Sequence, residues 1–335
     1  MINNRKITVF GAGAFGTCIA NMLALAGHDI KLWAREPKVV DSIKNNRENT
    51  TFLPDAGLEN FFVTSDAGEA ADGSEIAVFA IPCQHIRSFL KQSADILPTD
   101  CIIANLAKGI EVETAKTTSQ IFSDLLGDEI LQRYATISGP SFAREIYQKM
   151  PTAACVASQN EDIAVRVRET LSQKWFRLYS STDFKGVELG GALKNIIAIG
   201  VGISDGLGFG QNSRAGLITR SLHEMIKLGV EMGAQPQTFS GLSGIGDLIL
   251  TCMGDLSRNR QTGLRLGRGE KIEEILKSTP HVSEGVPTSK AVHEIAIQRH
   301  LDLPNMEHIY KILYEGLAPK DAFEMLMSRE LKKEF

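Results

Sequence analysis

Lys194 is the residue of this chain whose surroundings best suit proton transfer. It ends the segment Glu188-Leu189-Gly190-Gly191-Ala192-Leu193-Lys194-Asn195, a helical pattern carrying two adjacent glycines. Each glycine costs roughly 1 kcal/mol against alanine in a helix interior, a cost that makes sense where something must approach the backbone closely. On a helix, Gly191, Lys194, Asn195 and Ala198 share one face, and the run to Ile199 is apolar. A lysine there suits general acid/base work, and burial or a second cation such as Lys108 would tune it. The alternative, a solvated helix lysine, fits poorly with the glycine pair and the apolar run. A second constellation, Gly241-Leu242-Ser243-Gly244-Ile245-Gly246-Asp247 followed by Ser257-Arg258-Asn259-Arg260, joins a glycine-rich loop to a hydroxyl, a guanidinium fork and an amide. That set suits phosphate oxygens. Asp247 would accept from a substrate hydroxyl, orient Lys194, or simply cap a helix.

Near the start, Gly11-Ala12-Gly13-Ala14-Phe15-Gly16 follows one apolar run and opens a helical one. Gly11 permits a tight turn, Gly13 lets a pyrophosphate approach the backbone, and Gly16 lets helix and strand pack closely. The free N–H groups of the helix then face the anion. The fingerprint alone is weak, and its strand–turn–helix context is what makes it a dinucleotide site. The second strand ends in Arg35, which could pair with a 2′-phosphate and favours NADP(H), while the adjacent Glu36 could serve NAD. Two more polar turns follow strands: Asn105-Leu106-Ala107-Lys108-Gly109-Ile110-Glu111 and Ser138-Gly139-Pro140-Ser141-Phe142-Ala143. At the carboxyl edge of a parallel sheet both would face ligands, although either could be a plain tight turn.

These residues need an α/β scaffold. Strands are expected at Lys6–Phe10, Asp29–Trp33, Phe61–Thr64, Ile76–Ile81, Cys101–Asn105, Ala135–Ser138, Ala153–Ala157 and Phe176–Ser180, apolar on both faces as in a buried parallel sheet. Helices between them include Phe15–Ala26 and Glu113–Leu126. From about Thr182 every pattern is helical: Glu188–Ile203, Arg214–Met232, Gln261–Leu266, Ile272–Lys277, Ser289–Gln298, Asn305–Glu315 and Lys320–Met327. The expectation is a Rossmann-like, mostly parallel sheet domain over 1–181 and an all-α substrate domain over 182–335.

The 335 residues, 43% of them hydrophobic, suffice for two domains. A net charge of −4 gives no general attraction for nucleic acid, so an anionic ligand requires a local basic cluster. Five scattered cysteines without a C-x-x-C pair read as reduced thiols and not as a metal or disulfide frame, and no histidine shows ligand spacing. Ile2-Asn3-Asn4-Arg5-Lys6 runs straight into a strand without a leader's apolar core. No uninterrupted apolar run reaches the roughly 18 residues of a membrane span. A cytoplasmic location is expected.

Taken together, the chain resembles the bacterial NAD(P)-dependent glycerol-3-phosphate dehydrogenases. The resemblance runs through Gly11–Thr17, Lys108–Glu111, Gly139–Ala143, Glu188–Asn195, Gly206–Asn212, Gly241–Thr251, Ser257–Arg260 and Val282–Gly285. It implies interconversion of dihydroxyacetone phosphate and sn-glycerol 3-phosphate for phospholipid synthesis, with NADP or NAD, in a homodimer. By resemblance Lys194 is the catalytic acid/base, and Lys108 touches both cofactor and substrate. Gly139, Ser141, Asp247, Ser257, Arg258 and Asn259 match substrate contacts. Phe15, Arg35, Ala143, Arg258, Val282 and Glu284 match cofactor contacts, alongside the glycine turn. Two departures stand out: Ala14 replaces a frequent small polar residue, and Met253-Gly254-Asp255 replaces a Ser-Pro turn. The competing readings are a β-hydroxyacid dehydrogenase, which would recognise a carboxylate, and a non-catalytic NADP(H)-sensing protein, which has no need of Lys194.

Overall fold

The computed structural model describes residues 4–278, 283–331 and 333–334. The chain divides into two compact units, Met1–Lys108 with Lys116–Glu188, and Gly109–Ala115 with Leu189–Phe335. The sequence alone puts the change at 181/182 and leaves residues 109–115 with the sheet. Packing explains the difference. Phe184 and Val187 are buried in the same apolar cluster as Phe122 and Tyr134, whereas Ile110 is buried with Leu193, Ile196 and Ile197.

The first unit is built on eight strands: β1 (Lys6–Phe10), β2 (Asp29–Trp33), β3 (Phe62–Thr64), β4 (Ile76–Phe79), β5 (Ile102–Asn105), β6 (Tyr134–Ser138), β7 (Thr152–Ala157) and β8 (Phe176–Ser181). Their order is β3-β2-β1-β4-β5-β6-β7-β8. Neighbours are parallel from β3 through to β6, β7 runs antiparallel to β6, and β8 is parallel to β7. Strands β4, β5 and β6 are buried at every residue, as a sheet covered on both faces requires. The edge strand β8 departs from that pattern: Arg177 and Tyr179 are exposed between buried Phe176 and Leu178. Strand order reverses between β1 and β4, and in such sheets ligands bind outside the carboxyl ends at that point.

The helix expected from Glu113 begins instead at Thr118. Ala115 takes a left-handed φ of 55°, which a helix cannot include. Gln120 Oε1 then accepts from the Thr117 N–H at 2.9 Å, and Glu188 Oε1 from the Ser119 N–H at 3.0 Å. Two otherwise orphaned donors of the first turn are thereby satisfied.

Among the described residues no strand follows Ser181. The second unit consists of the helices Gln211–Glu231, Asp247–Met253, Arg258–Gly267, Ile272–Ser278, Gly285–Gln298, Pro304–Tyr314 and Pro319–Met327, with the greater part of Phe184–Gly206. That last helix is long and apolar enough to cross a membrane, yet its apolar window is wholly buried. It is the core helix. A Cβ on Gly263 would lie 2.0 Å from the Ile199 carbonyl oxygen, and one on Gly202 would lie 2.1 Å from that of Arg260. The helices Phe184–Gly206 and Arg258–Gly267 therefore meet backbone to backbone. Asp205 fastens the same contact, with Oδ2 accepting from Arg260 Nε at 3.1 Å and Nη2 at 2.8 Å. Its Oδ1 accepts from Arg214 at 3.1 and 2.8 Å.

One element escapes the sequence reading. Gly241–Gly246 is not a loop but leads through the wide helical turn Leu242–Gly246 into the helix Asp247–Met253, its helical pattern masked by three glycines. Gly190 has its reason here, since a Cβ on it would stand 2.3 Å from the Ser243 carbonyl oxygen. The close approach expected at the glycine pair is made by main chain.

Candidate active site

In the first unit the candidate residues collect at the carboxyl edge of the sheet. Gly11 has φ 110°, a conformation costly for any residue with a side chain, and its N–H donates to the Trp33 carbonyl at 3.1 Å. A Cβ on Gly16 would fall 1.9 Å from the Gly11 oxygen, while Gly13 faces nothing within 4 Å. The turn is closed on one side and open at Gly13, immediately before the helix Ala14–Leu25. Ala14 and Phe15 are its first two residues, where N–H groups lack internal acceptors. A side chain at Gly13 would fill the space that a pyrophosphate needs, so these residues fit a dinucleotide. Arg35 follows β2 at the same edge, its Nε and Nη2 donating to Glu36 Oε1 at 3.0 and 2.6 Å.

Lys108 follows β5 and Gly139 follows β6, and the parallel pairing of these strands brings the two turns side by side. Lys108 Nζ lies 3.4 Å from the Gly139 oxygen, which also accepts from Ser141 Oγ at 2.8 Å. Gly139 has φ 152°, and a Cβ there would come within 2.8 Å of Ala154 Cα. Ala143 opens the short helix Ala143–Tyr147, and its carbonyl accepts from Cys18 Sγ at 3.2 Å.

In the second unit Lys194 is buried, its side chain 8% exposed. Its ammonium donates to Asp247 Oδ1 and to Thr251 Oγ1 at 2.8 Å. Asp247 and Thr251 stand four apart on one helix, so both reach the same point. Thr251 Oγ1 also donates to the Asp247 carbonyl at 2.7 Å, which fixes the hydroxyl with a lone pair towards Lys194. Of the roles open to Asp247, the structure shows an ion pair with Lys194 at the first residue of the helix Asp247–Met253.

Ser257 is the N-cap of the helix Arg258–Gly267, its Oγ accepting from the Arg260 N–H at 3.2 Å. Arg258 and Asn259 are the first two residues of that helix. Of the two arginines in the motif, Arg260 is committed to Asp205 and Asp255. Arg258 makes no ion pair among the described residues and borders a cavity of about 270 Å³, which Gln261, Thr262 and Ser283 also line. The Asn259 side chain is fully engaged: Oδ1 accepts from Ser283 Oγ at 2.8 Å and the Gly285 N–H at 2.9 Å, and Nδ2 donates to Asn195 Oδ1 at 2.9 Å. Glu284, between those two anchor points, has Oε2 buried without a hydrogen-bond donor among the described residues. Burial pushes its carboxyl up to about 7 while Arg258 pulls it down. Val282 lies outside the described residues.

Within the second unit, then, Lys194 meets Asp247, and Asn259 ties Ser257 and Arg258 to the Ser283–Gly285 segment. Sequence reasoning passed over Thr251, Ser283 and the Asn195–Asn259 bond. The i,i+4 spacing of Asp247 and Thr251 was the only available signal, and it has meaning only once a helix is recognised there. The cysteines take no part in nucleophilic chemistry: all five are free. Burial pushes the thiols of Cys18, Cys101 and Cys252 up to about 12 and that of Cys155 to about 11. No cluster of three or more metal-ligating side chains occurs among the described residues.

A doubly wound sheet with a glycine turn at its switch point, and a helical unit with a buried lysine, define the class of nicotinamide-linked dehydrogenases. Comparison with known proteins narrows the class. Residues 6–164 match the family model for the NAD-dependent glycerol-3-phosphate dehydrogenase N-terminus, and residues 183–324 match that for its C-terminus. A glycerol-3-phosphate dehydrogenase [NAD(P)+] of Citrifermentans bemidjiense is 48% identical over 330 residues, 98% of each chain. That of Nitratidesulfovibrio vulgaris is 47% identical over 98% of this chain and 100% of its own. The crystal structure of glycerol-3-phosphate dehydrogenase from Coxiella burnetii superposes with a TM-score of 0.92 at 33% identity, covering 97% of this chain and 99% of that one. The chain belongs to the NAD-dependent glycerol-3-phosphate dehydrogenase family.

Proposed function

We propose that the protein interconverts dihydroxyacetone phosphate and sn-glycerol 3-phosphate with NADPH or NADH, supplying the glycerol phosphate of membrane lipids. The observation that carries the chemistry is the buried Lys194 ammonium, aimed by Asp247 and Thr251. As the ketone is reduced, negative charge grows on its oxygen, and a positioned ammonium both stabilises that charge and donates the proton. Asp247 keeps Nζ directed and balances its charge within the protein. Gly11, Gly13, Ala14, Phe15, Gly16, Arg35 and Ala143 would hold the dinucleotide, with Arg258, Val282 and Glu284 contributing from the second unit. When bound, the nicotinamide supplies the hydride equivalent.

The substrate phosphate is assigned to Arg258 and to the N-terminus of its helix, where the N–H groups of Arg258 and Asn259 have no internal acceptor. Asn259 thus serves through its main chain while its side chain holds the turn. Ser257 caps that helix, and Lys108, Gly139 and Ser141 complete the proposed substrate contacts. The protein acts in the cytoplasm as a homodimer in this reading, over a dinucleotide domain 1–181 and a substrate domain 182–335.

The direct test follows nicotinamide absorbance with purified protein, dihydroxyacetone phosphate, and NADPH or NADH in separate cuvettes. Oxidation that depends on the ketone phosphate supports the reading. No oxidation with either cofactor sinks it, and turnover of β-hydroxyacids in its place would hand the fold to that chemistry.

A further inference from the structure

We propose that Glu36 sets the balance between the two dinucleotides by opposing Arg35, so that the arginine does not by itself impose a preference for NADP(H). The inference rests on the dehydrogenase reading given above. Strands β1 and β2 pair in register with Phe10 opposite Trp33, so the turn after Phe10 and the segment after Trp33 leave the sheet at one edge. Glu36 stands twenty residues beyond Gly16 (36 − 16). Rossmann folds carry at about that offset the carboxylate that accepts from a ribose 2′-hydroxyl.

The side chains of Arg35 and Glu36 are already engaged with each other. Nε and Nη2 of Arg35 both donate to one oxygen, Glu36 Oε1, and the side chains are 69% and 32% exposed. Exposed pairs are weak and open readily, so a ligand can take either partner. Glu36 occupies the N-cap position of the helix Pro37–Asn46 but makes no side-chain capping bond. Its carboxylate is therefore not required by the helix.

The two cofactors meet this pair differently. A 2′-phosphate drawn to Arg35 must displace Glu36 from the guanidinium and then stand beside a like charge. A 2′-hydroxyl can donate to Glu36 while Arg35 stays paired and offsets the carboxylate. Glu36 thus weakens the binding of NADP and strengthens that of NAD.

Calorimetric titration of NADP+ and NAD+, with 2′,5′-ADP and 5′-AMP as fragments lacking the nicotinamide, reads this without turnover. Glu36→Gln should raise the ratio Kd(NAD+)/Kd(NADP+) by about fivefold, the scale of one exposed charge contact. Arg35→Gln should lower it by a similar factor, and the fragments should follow the same order. Binding of both dinucleotides with a ratio that Glu36→Gln leaves within about twofold overturns the role of Glu36 alone. Failure of the parent protein to bind either dinucleotide overturns the dehydrogenase reading and this inference with it.

Discussion

Asn195 and Asn259 are joined amide to amide, Asn259 Nδ2 donating to Asn195 Oδ1 at 2.9 Å, with both side chains buried. The bond links the residue after Lys194 to the residue after Arg258. A proton-donating lysine and a phosphate-binding arginine are thereby held at a fixed separation through two neighbouring main-chain positions. The contact should couple energetically. In a double-mutant cycle with Asn195→Ala and Asn259→Ala, thermal unfolding is expected to show about 1 kcal/mol of interaction. Strict additivity of the two losses would show that the bond carries no such link.

Lys194→Ala should reduce kcat by at least about a hundredfold, the usual contribution of a positioned proton donor. Dinucleotide affinity should be nearly unchanged. Asp247→Asn leaves a hydrogen-bond acceptor but removes the charge, and its kcat is expected to fall between those of Lys194→Ala and the parent. Steady-state kinetics with separately measured cofactor Kd values checks both. Near-normal turnover in Lys194→Ala removes it from the chemistry.

Substrate affinity should weaken as the pH rises through neutrality. Burial pushes the Glu284 carboxyl up to about 7, and Arg258 acts in the opposite direction. A phosphate on Arg258 cancels part of that pull, raising the carboxyl further, so binding takes up a proton. The protonated form present below about pH 7 therefore binds tighter than the carboxylate present above it. Comparing Kd across this range in the parent and in Glu284→Gln cancels the ionisation of the ligand itself. Parallel pH profiles in the two proteins would refute the coupling.

Asp205→Ala should destabilise the helical unit more than it disturbs binding. The carboxylate, 6% exposed, balances Arg260 and Arg214, whose side chains are 11% and 20% exposed. Removing it strands two largely buried cations at a cost of about 3 kcal/mol. A lowered Tm with a preserved substrate KM is expected, while an unchanged Tm would show the cluster to be solvated.

The sequence alone was sufficient for the eight strands and the helical character of everything after them. Both follow from local rules: continuous apolar runs bounded by turn residues, then a 3.6-residue period. It also located the glycine turn, because only a residue without a side chain tolerates the conformation of Gly11 and the contact at Gly16. The helix Asp247–Met253 and the late start at Thr118 were not legible in this way. The first is hidden by glycines, whose purpose is a contact with another segment, and the second depends on Glu188, 69 residues away.

The chemistry of the site divides in the same manner. That a lysine sits on an apolar, glycine-bearing helix is a property of the sequence. That its ammonium meets Asp247 and Thr251, 53 and 57 residues away, is decided by packing, since a charge pair at that separation has no local signature. The same holds within Ser257–Arg260. Four polar residues look alike as a string, and only the fold commits Arg260 to Asp205 and the Asn259 side chain to Asn195 and Ser283, leaving Arg258 without an ion pair among the described residues. Residue type tells which side chains are able to hold a phosphate or move a proton. Tertiary structure decides which remain available to do so, because buried polar groups must find partners wherever the chain brings them.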